Sequence, residues 1–435
     1  MNNILIAPWG NPYGWSEVKY SFQDYVAKSK SSLPVLIDLI KPSRVIVIIL
    51  DTLAKSGTNY DEIILSAKMV CEEFVENEFG MNKRSIEIIV APGVGEFPNG
   101  TFKGRMTDYY ASILFKLSDM LSTENNLQVV TIHLDLTHGI NFMPTLTYRA
   151  LREIAGILAL TRDTVIFRVY NSDPYTRESK ELSINVVEST HMLPDPCKDM
   201  ISESLRLLEP ITLTSKECER LFKEELRECK ESINYRELNA FLSSIVNGLP
   251  LVLSTFYPDP SNLKNCLNYI ERLYNRYVHV TTIDGRLYVE RSVSYGNDFV
   301  VCTKAYLTAQ VINMRRKTEL SLQELHEIRK FVFSKISKLD ATISYDLYWI
   351  KDKVMGLINN LCDWIILAKA LGEDVKDPDF RNFLAHSGLE RNILEIKYNP
   401  VKSLEESIMV RYNQKKLSTV LDYSSKGLSI KELKS

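Results

Sequence analysis

VVTIHLDLTHGINFMP, Val129 to Pro144, passes from a β-branched run into a polar turn and then into an amphipathic segment. Val129 to Leu134 have the composition of a strand buried on both faces. Asp135-Leu136-Thr137-His138-Gly139 then crowds a carboxylate, a hydroxyl and an imidazole onto the end of that strand, and Gly139 permits a tight turn or a close backbone approach. Asn141, Met143 and Pro144 lead into a segment of helical period, Thr145 to Leu160. A strand, a polar turn and a helix make one unit of a parallel sheet, and the chemistry of such a unit sits in its turn.

The unit recurs on both sides. Short β-branched runs occupy Asn3 to Ala7, Arg44 to Leu50, Ile86 to Ala91 and Thr164 to Tyr170, with helical periods at Tyr60 to Phe79 and Met106 to Leu121. This alternation predicts a Rossmann-like α/β domain over residues 1–192, with Glu181 to Glu188 as a further strand and Leu193-Pro194-Asp195-Pro196 as a linker. Ligands of such sheets lie beyond the carboxyl ends of the strands, so four turns supply the candidate binding residues. They are Trp9, Gly10 and Asn11 after the first strand, Thr52 after the second, Gly93 after the third, and Thr137, His138, Gly139, Asn141 and Met143 after the fourth.

The aromatic loop Pro8 to Trp15 suits purine stacking or, equally, a lid over the sheet edge. Thr52 is also readable as a helix cap, and Asp135 with His138 as a structural pair. A nicotinamide cofactor is excluded because Pro98 stands where Gly93 and Gly95 would require a third glycine. A Ser hydrolase is excluded for want of a G-x-S-x-G elbow.

At 435 residues the chain is too long for one ordinary core, and its formal charge of −2 gives no global basic field for nucleic acid. Any nucleic acid must be held by a local patch. Seven cysteines without a C-x-x-C pair read as reduced thiols rather than a metal site. The apolar run VIVIIL is too short to span a membrane, and a cytoplasmic protein is expected.

Beyond the linker the pattern turns helical. Residues 193–300 read as a helical connector, either a helix-turn-helix-like module or a strut, with a β-hairpin around Asp284-Gly285. Residues 301–435 read as an all-α bundle with helices over Leu320 to Leu339, Tyr345 to Leu371, a segment from Phe380, and Leu404 to Tyr423. Within Asp377 to Asn392, DPDFRNFLAHSGLERN, Asp377 and Pro378 suggest a helix start, which places Arg381 and His386 in its first turns. On an ideal helix their side chains diverge by roughly 140°, so they would bracket a groove. The spacing by itself is close to what chance supplies in a chain with six histidines.

The D-x-T-H-G turn, Asp135-Leu136-Thr137-His138-Gly139, resembles that of the CARF (CRISPR-associated Rossmann fold) sensor domains of type III CRISPR ancillary proteins, over roughly residues 1–190. Arg381-Asn382-Phe383-Leu384-Ala385-His386 resembles the signature of HEPN (higher eukaryotes and prokaryotes nucleotide-binding) domains. A HEPN bundle behind a CARF domain is the arrangement of the CRISPR ribonucleases. The resemblance implies a homodimer, or a higher homo-oligomer, that holds one cyclic oligoadenylate, cyclic tetra-adenylate by likeness, as its allosteric activator. It also implies that two bundles pair around one cleft and cut single-stranded RNA with no cofactor or metal for catalysis.

An RNA 2'-hydroxyl is a built-in nucleophile, so such an enzyme need only align it, neutralise phosphate charge and move protons. Arg381 is then the candidate phosphate clamp, His386 the candidate general acid or base, and Asn382 an orienting group. The expected ends are a 2',3'-cyclic phosphate and a 5'-hydroxyl. The alternative is an oligoadenylate-responsive transcription regulator whose middle helices bind DNA.

Overall fold

The β-branched runs of the first half form one eight-stranded sheet. The computed structural model describes residues 2–122, 128–358, 361–401 and 403–428. In chain order come β1 (Asn2–Pro8), β2 (Val18–Phe22), β3 (Tyr25–Ser29), α1 (Leu33–Ile40), β4 (Arg44–Leu50), α2 (Tyr60–Phe79) and β5 (Glu87–Ala91). They are followed by β6 (Gly95–Phe97), β7 (Gly100–Lys103), α3 (Thr107–Ser122), β8 (Val129–Asp135), α4 (Phe142–Leu158), β9 (Thr164–Ser172) and β10 (Glu181–His191). The large sheet has the order β3-β2-β10-β9-β8-β1-β4-β5, with a parallel core from β9 to β5.

β1 and β4 carry almost unbroken buried runs, as strands covered on both faces require. The ends of α2 are set locally: Asn59 caps the Glu62 N–H, and Gly80 closes the helix at a φ of 61°. From β1 the chain winds outward through β4 and β5, then returns to place β8 on the other side of β1. That reversal between β1 and β8 is the sheet's topological switch point, where open α/β folds hold ligands.

The described chain divides into two compact units: residues 1–193, 206–227 and 266–303, and residues 194–205, 228–265 and 304–435. The first unit adds β11 (Leu208–Pro210), β12 (Val278–Ile283), β13 (Arg286–Arg291) and β14 (Val293–Tyr295). The hairpin turns at Asp284-Gly285 as the sequence predicts, and β13 also pairs with β7, giving the order β12-β13-β7-β6.

The second unit is helical and carries one small antiparallel sheet. Its helices include Tyr235–Asn247, Leu322–Ile328, Ser337–Met355 and Leu417–Lys426. Its strands are β15 (Glu319–Ser321), β16 (Ile365–Ile366), β17 (Leu394–Tyr398) and β18 (Ile408–Tyr412), in the order β15-β18-β17-β16. A single helix over Leu404 to Tyr423 is therefore corrected, because Ile408, Val410 and Tyr412 alternate as buried residues on one strand face. The helix expected to run from Tyr345 to Leu371 ends at Met355, before Gly356. No helix among the described residues is long and apolar enough to cross a membrane.

Candidate functional site

The turns after β1 and β8 meet at the switch point. The Gly10 N–H donates to the His138 carbonyl at 2.9 Å, and a Cβ on Gly10 would lie 2.6 Å from Ile140 Cγ2. Only a glycine lets these two turns approach so closely. The Gly93 N–H likewise donates to Asp51 Oδ1 at 2.8 Å, with Thr52 Cγ2 only 2.5 Å from where a Gly93 Cβ would lie. Trp9, Gly10, Asn11 and Thr52 line a cleft of about 50 Å³, joined by Asn99 and Ile140. Asn99 was missed in the sequence; its amide donates to the Thr52 and Ala54 carbonyls, both at 2.7 Å, and so shapes this wall.

Trp9 meets this cleft from below, and the remaining predicted residues lie outside its lining. The Trp9 ring is fully buried, edge-on to Trp15, Phe74 and Phe79, so it supports the loop from within and offers no stacking face in this conformation. Met143 is also fully buried. Gly139 closes the turn through its N–H to the Leu136 carbonyl at 3.3 Å. Asn141 is exposed ahead of α4 at a φ of 48°.

Asp135 and His138 do not pair with each other. Asp135 accepts from Ser32 Oγ at 2.6 Å and from the Thr137 N–H at 3.1 Å, while Thr137 Oγ1 accepts from the Ser172 N–H at 3.2 Å. The His138 ring lies 4.0 Å from that of Trp15, and its Nε2 accepts from the Ser32 N–H at 3.4 Å and lies 3.2 Å from the Tyr20 hydroxyl. Burial lowers the His138 pKa to about 3. It is a neutral acceptor that ties the β2–β3 hairpin and the head of α1 to the switch point.

Directly behind Thr52, Asp51 is buried with Arg291 of β13. Asp51 also accepts from the Tyr60 hydroxyl at 2.9 Å, and Arg291 Nη1 donates to the carbonyls of Gly93 at 2.9 Å and Lys103 at 3.1 Å. Burial raises the Asp51 pKa, and Arg291 with the hydrogen bonds opposes that rise. Two of the four candidate turns are thus braced by one guanidinium from the hairpin.

In the second unit, Asp379 caps a six-residue helix, Phe380–Ala385, by accepting from the Asn382 N–H at 2.8 Å. The helix is held down by Phe383, which packs on Tyr423, and by the Tyr423 hydroxyl donating to the Pro378 carbonyl at 2.9 Å. The expected start at Asp377 and Pro378 is corrected to Asp379, and His386 falls at the C-cap instead of within the helix. The roughly 140° divergence of an ideal helix therefore does not apply. The chain leaves through Ser387 and Gly388 at φ values of 51° and 74°. A left-handed non-glycine residue is uncommon, and here it turns the Ser387 hydroxyl inward.

What it turns toward is Asp346, on the helix Ser337–Met355. Ser387 Oγ donates to Asp346 Oδ2 at 2.7 Å, and His386 Nδ1 lies 3.2 Å from Asp346 Oδ1. The Asp346 side chain is 7% exposed and that of His386 56% exposed. Burial raises the Asp346 pKa, with Ser387 and His386 opposing the rise. These groups open on a cleft of about 520 Å³ whose walls include Tyr345, Asp346, Trp349, Asn382, His386 and Arg391. Lys376 also lines it, as do the carboxylates Asp377, Asp379 and Glu390, so the aromatic and amide groups around the exposed imidazole suit nucleobases and a ribose while the lining of one chain is net acidic. Arg381 is exposed, has no hydrogen-bond or ion-pair partner among the described residues, and does not line this cleft.

Asp346 was missed in the sequence because it lies 40 residues before His386. The available signal was its place among Ile343, Leu347 and Ile350 at helical spacing, a carboxylate on the apolar face of its helix.

Residues 4–174 match the family model of the CRISPR system endoribonuclease Csx1 CARF domain, and residues 323–414 match that of the Csx1 HEPN domain. The CRISPR system endoribonuclease Csx1 of Methanocaldococcus jannaschii is 34% identical over 438 residues, covering 95% of this chain and 92% of that protein. Among solved structures, Enterococcus italicus Csm6 bound to cyclic hexa-2'-fluoro-hexa-dAMP is 12% identical, with 98% of this chain and 92% of that chain covered and a TM-score of 0.23. At that score the likeness supports no structural argument.

Proposed function

The chain belongs to the CRISPR system endoribonuclease Csx1 family, with an N-terminal CARF domain and a C-terminal HEPN domain, and on that footing we propose that it cuts single-stranded RNA when a cyclic oligoadenylate occupies its switch-point turns. The observation that carries this reading is the cleft holding Asn382 and the exposed imidazole of His386. An exposed imidazole and an amide side by side support a role in proton transfer and in orienting a ribose and its phosphate. The transcription-regulator reading has no support in the family assignment.

The reaction needs no external nucleophile. The 2'-oxygen attacks the adjacent phosphorus, its proton passes to a base, and the bond to the 5'-oxygen breaks as that oxygen takes up a proton. The products are a 2',3'-cyclic phosphate and a 5'-hydroxyl. His386 moves a proton in this reading. Arg381, whose fork matches phosphate oxygens and stays charged, reaches the phosphate across a cleft completed by a second copy of the chain. No metal is required to generate the nucleophile.

The activator is proposed to be cyclic tetra-adenylate, held across two copies. A cleft of about 50 Å³ in one chain is far smaller than the several hundred cubic ångströms that enclose a small organic ligand. Two such clefts facing each other, with Asn11, Thr52 and the Thr137–Asn141 turn around them, form a larger site of matching two-fold symmetry. Binding then acts by favouring the arrangement in which the nuclease clefts are competent.

Isothermal titration with cyclic tetra-adenylate tests the shared site. One ligand per two chains is expected. One per chain would overturn the shared site, and no binding would overturn cyclic tetra-adenylate as the activator.

A further inference from the structure

Resting on the assignment of His386 to proton transfer, we propose that Asp346 is its positioning residue, a carboxylate that selects the imidazole tautomer and aims Nε2 at the RNA. An ionised carboxylate only accepts hydrogen bonds, so in the 3.2 Å contact His386 Nδ1 is the donor. The proton of the neutral ring is thereby kept on Nδ1, and Nε2 carries the free lone pair. A base that is to take the 2'-hydroxyl proton needs that tautomer. When Nε2 takes the proton, the carboxylate beside the ring stabilises the positive charge that results, and it accepts no proton itself.

Three features separate this arrangement from a casual ion pair. The Asp346 side chain is almost fully enclosed while its partner imidazole is more than half exposed, so one group is fixed and the other is presented. The second carboxylate oxygen is held by Ser387 Oγ at 2.7 Å, which fixes the plane of the carboxylate. Ser387 reaches it from a left-handed backbone conformation at a φ of 51°, immediately after His386 in the chain. A strained residue next to the proton-transfer group, bonded to the carboxylate that orients that group, is the pattern expected where geometry serves chemistry.

The fold also places the carboxylate at some cost to stability. Burial is the largest influence on Asp346 and raises its pKa, so the ionised form is less favourable in the folded chain than in the unfolded chain. The contribution of this group to stability is greatest at low pH and is lost as pH rises through the folded pKa. A residue kept only for stability would be better as a neutral isostere, which leads to opposite expectations for Asp346→Asn. The variant is expected to melt no lower than the parent at neutral pH, yet to lose activity.

The test compares the full-length parent, Asp346→Asn, His386→Ala and the double variant, with labelled single-stranded RNA and cyclic tetra-adenylate present throughout. The expected result is a kcat for Asp346→Asn reduced at least about 10-fold, up to the roughly 10⁴-fold lost when the aspartate that orients a general-base histidine is changed to asparagine, with KM within twofold and Tm unchanged or higher. In the double variant, Asp346→Asn is expected to add no further loss to His386→Ala, because it acts through that ring. A kcat within twofold of the parent at unchanged Tm would overturn the proposal. So would an equal loss in both backgrounds, or a loss matched by a fall in the folded fraction. Full activity of His386→Ala would instead overturn the proton-transfer assignment, and is read separately.

Discussion

His386→Ala is expected to lower RNA cleavage by about 10³-fold, within the range of roughly 10²- to 10⁴-fold that a positioned acid or base supplies. The structure makes this a clean substitution. The imidazole is more than half exposed, and although its removal takes the contact from Asp346 Oδ1, Ser387 still holds Oδ2 of the same carboxylate. Stability is expected to change little, because the costs that dominate destabilising mutations are absent. The check is single-turnover cleavage at saturating enzyme, with the folded state verified by thermal melting. A decrease of less than tenfold in a fully folded variant would remove His386 from the chemistry.

Arg291→Met is expected to have the largest effect on stability, about 3–5 kcal/mol, the usual cost of deleting one partner of a buried ion pair. The cause is not the lost attraction alone. Without Arg291, Asp51 keeps a buried charge opposed only by the Gly93 N–H and the Tyr60 hydroxyl, and the carbonyls of Gly93 and Lys103 lose a donor. Urea denaturation measures the loss, and Asp51→Leu combined with Arg291→Met should restore part of it, since removing both charges leaves nothing uncompensated. A double variant less stable than Arg291→Met alone would contradict this account. Because Asp51 adjoins Thr52 and bonds Gly93, the single variant should also weaken cyclic oligoadenylate binding.

The parallel sheet was legible from local pattern. The run Arg44 to Leu50 and the helix Tyr60 to Phe79 coincide with the observed elements, because a buried β-branched run and a helix bounded by Asn59 and Gly80 carry their limits within themselves. The end of the chain was less legible. IMVRY from Ile408 to Tyr412 is a five-residue alternation between helix-forming stretches, and only its pairing with β17 makes it a strand. The segment from Phe380 coincides with the observed helix, but its cap is Asp379 and not Asp377, because only Asp379 bonds the backbone.

The candidate sites divide in the same way. Gly10 and Gly93 could be picked out because a glycine at a strand end announces a close approach, which the contacts to Ile140 and Thr52 explain. Asp346 and Arg291 could not be paired with their partners, which lie 40 and 240 residues away in the chain. Each nonetheless left a trace. Arg291 shares a strand face with buried Leu287 and Val289, and a charge on a buried face demands a partner that the local sequence does not name.

Cleavage of labelled single-stranded RNA in excess EDTA, with and without cyclic tetra-adenylate, tests the central claim of a ligand-switched, metal-independent ribonuclease most directly. Slow cleavage without the ligand, strong acceleration with it, no loss in EDTA, and fragments ending in a 2',3'-cyclic phosphate and a 5'-hydroxyl are expected. Cleavage that EDTA abolishes, or a rate indifferent to the ligand, would contradict that claim.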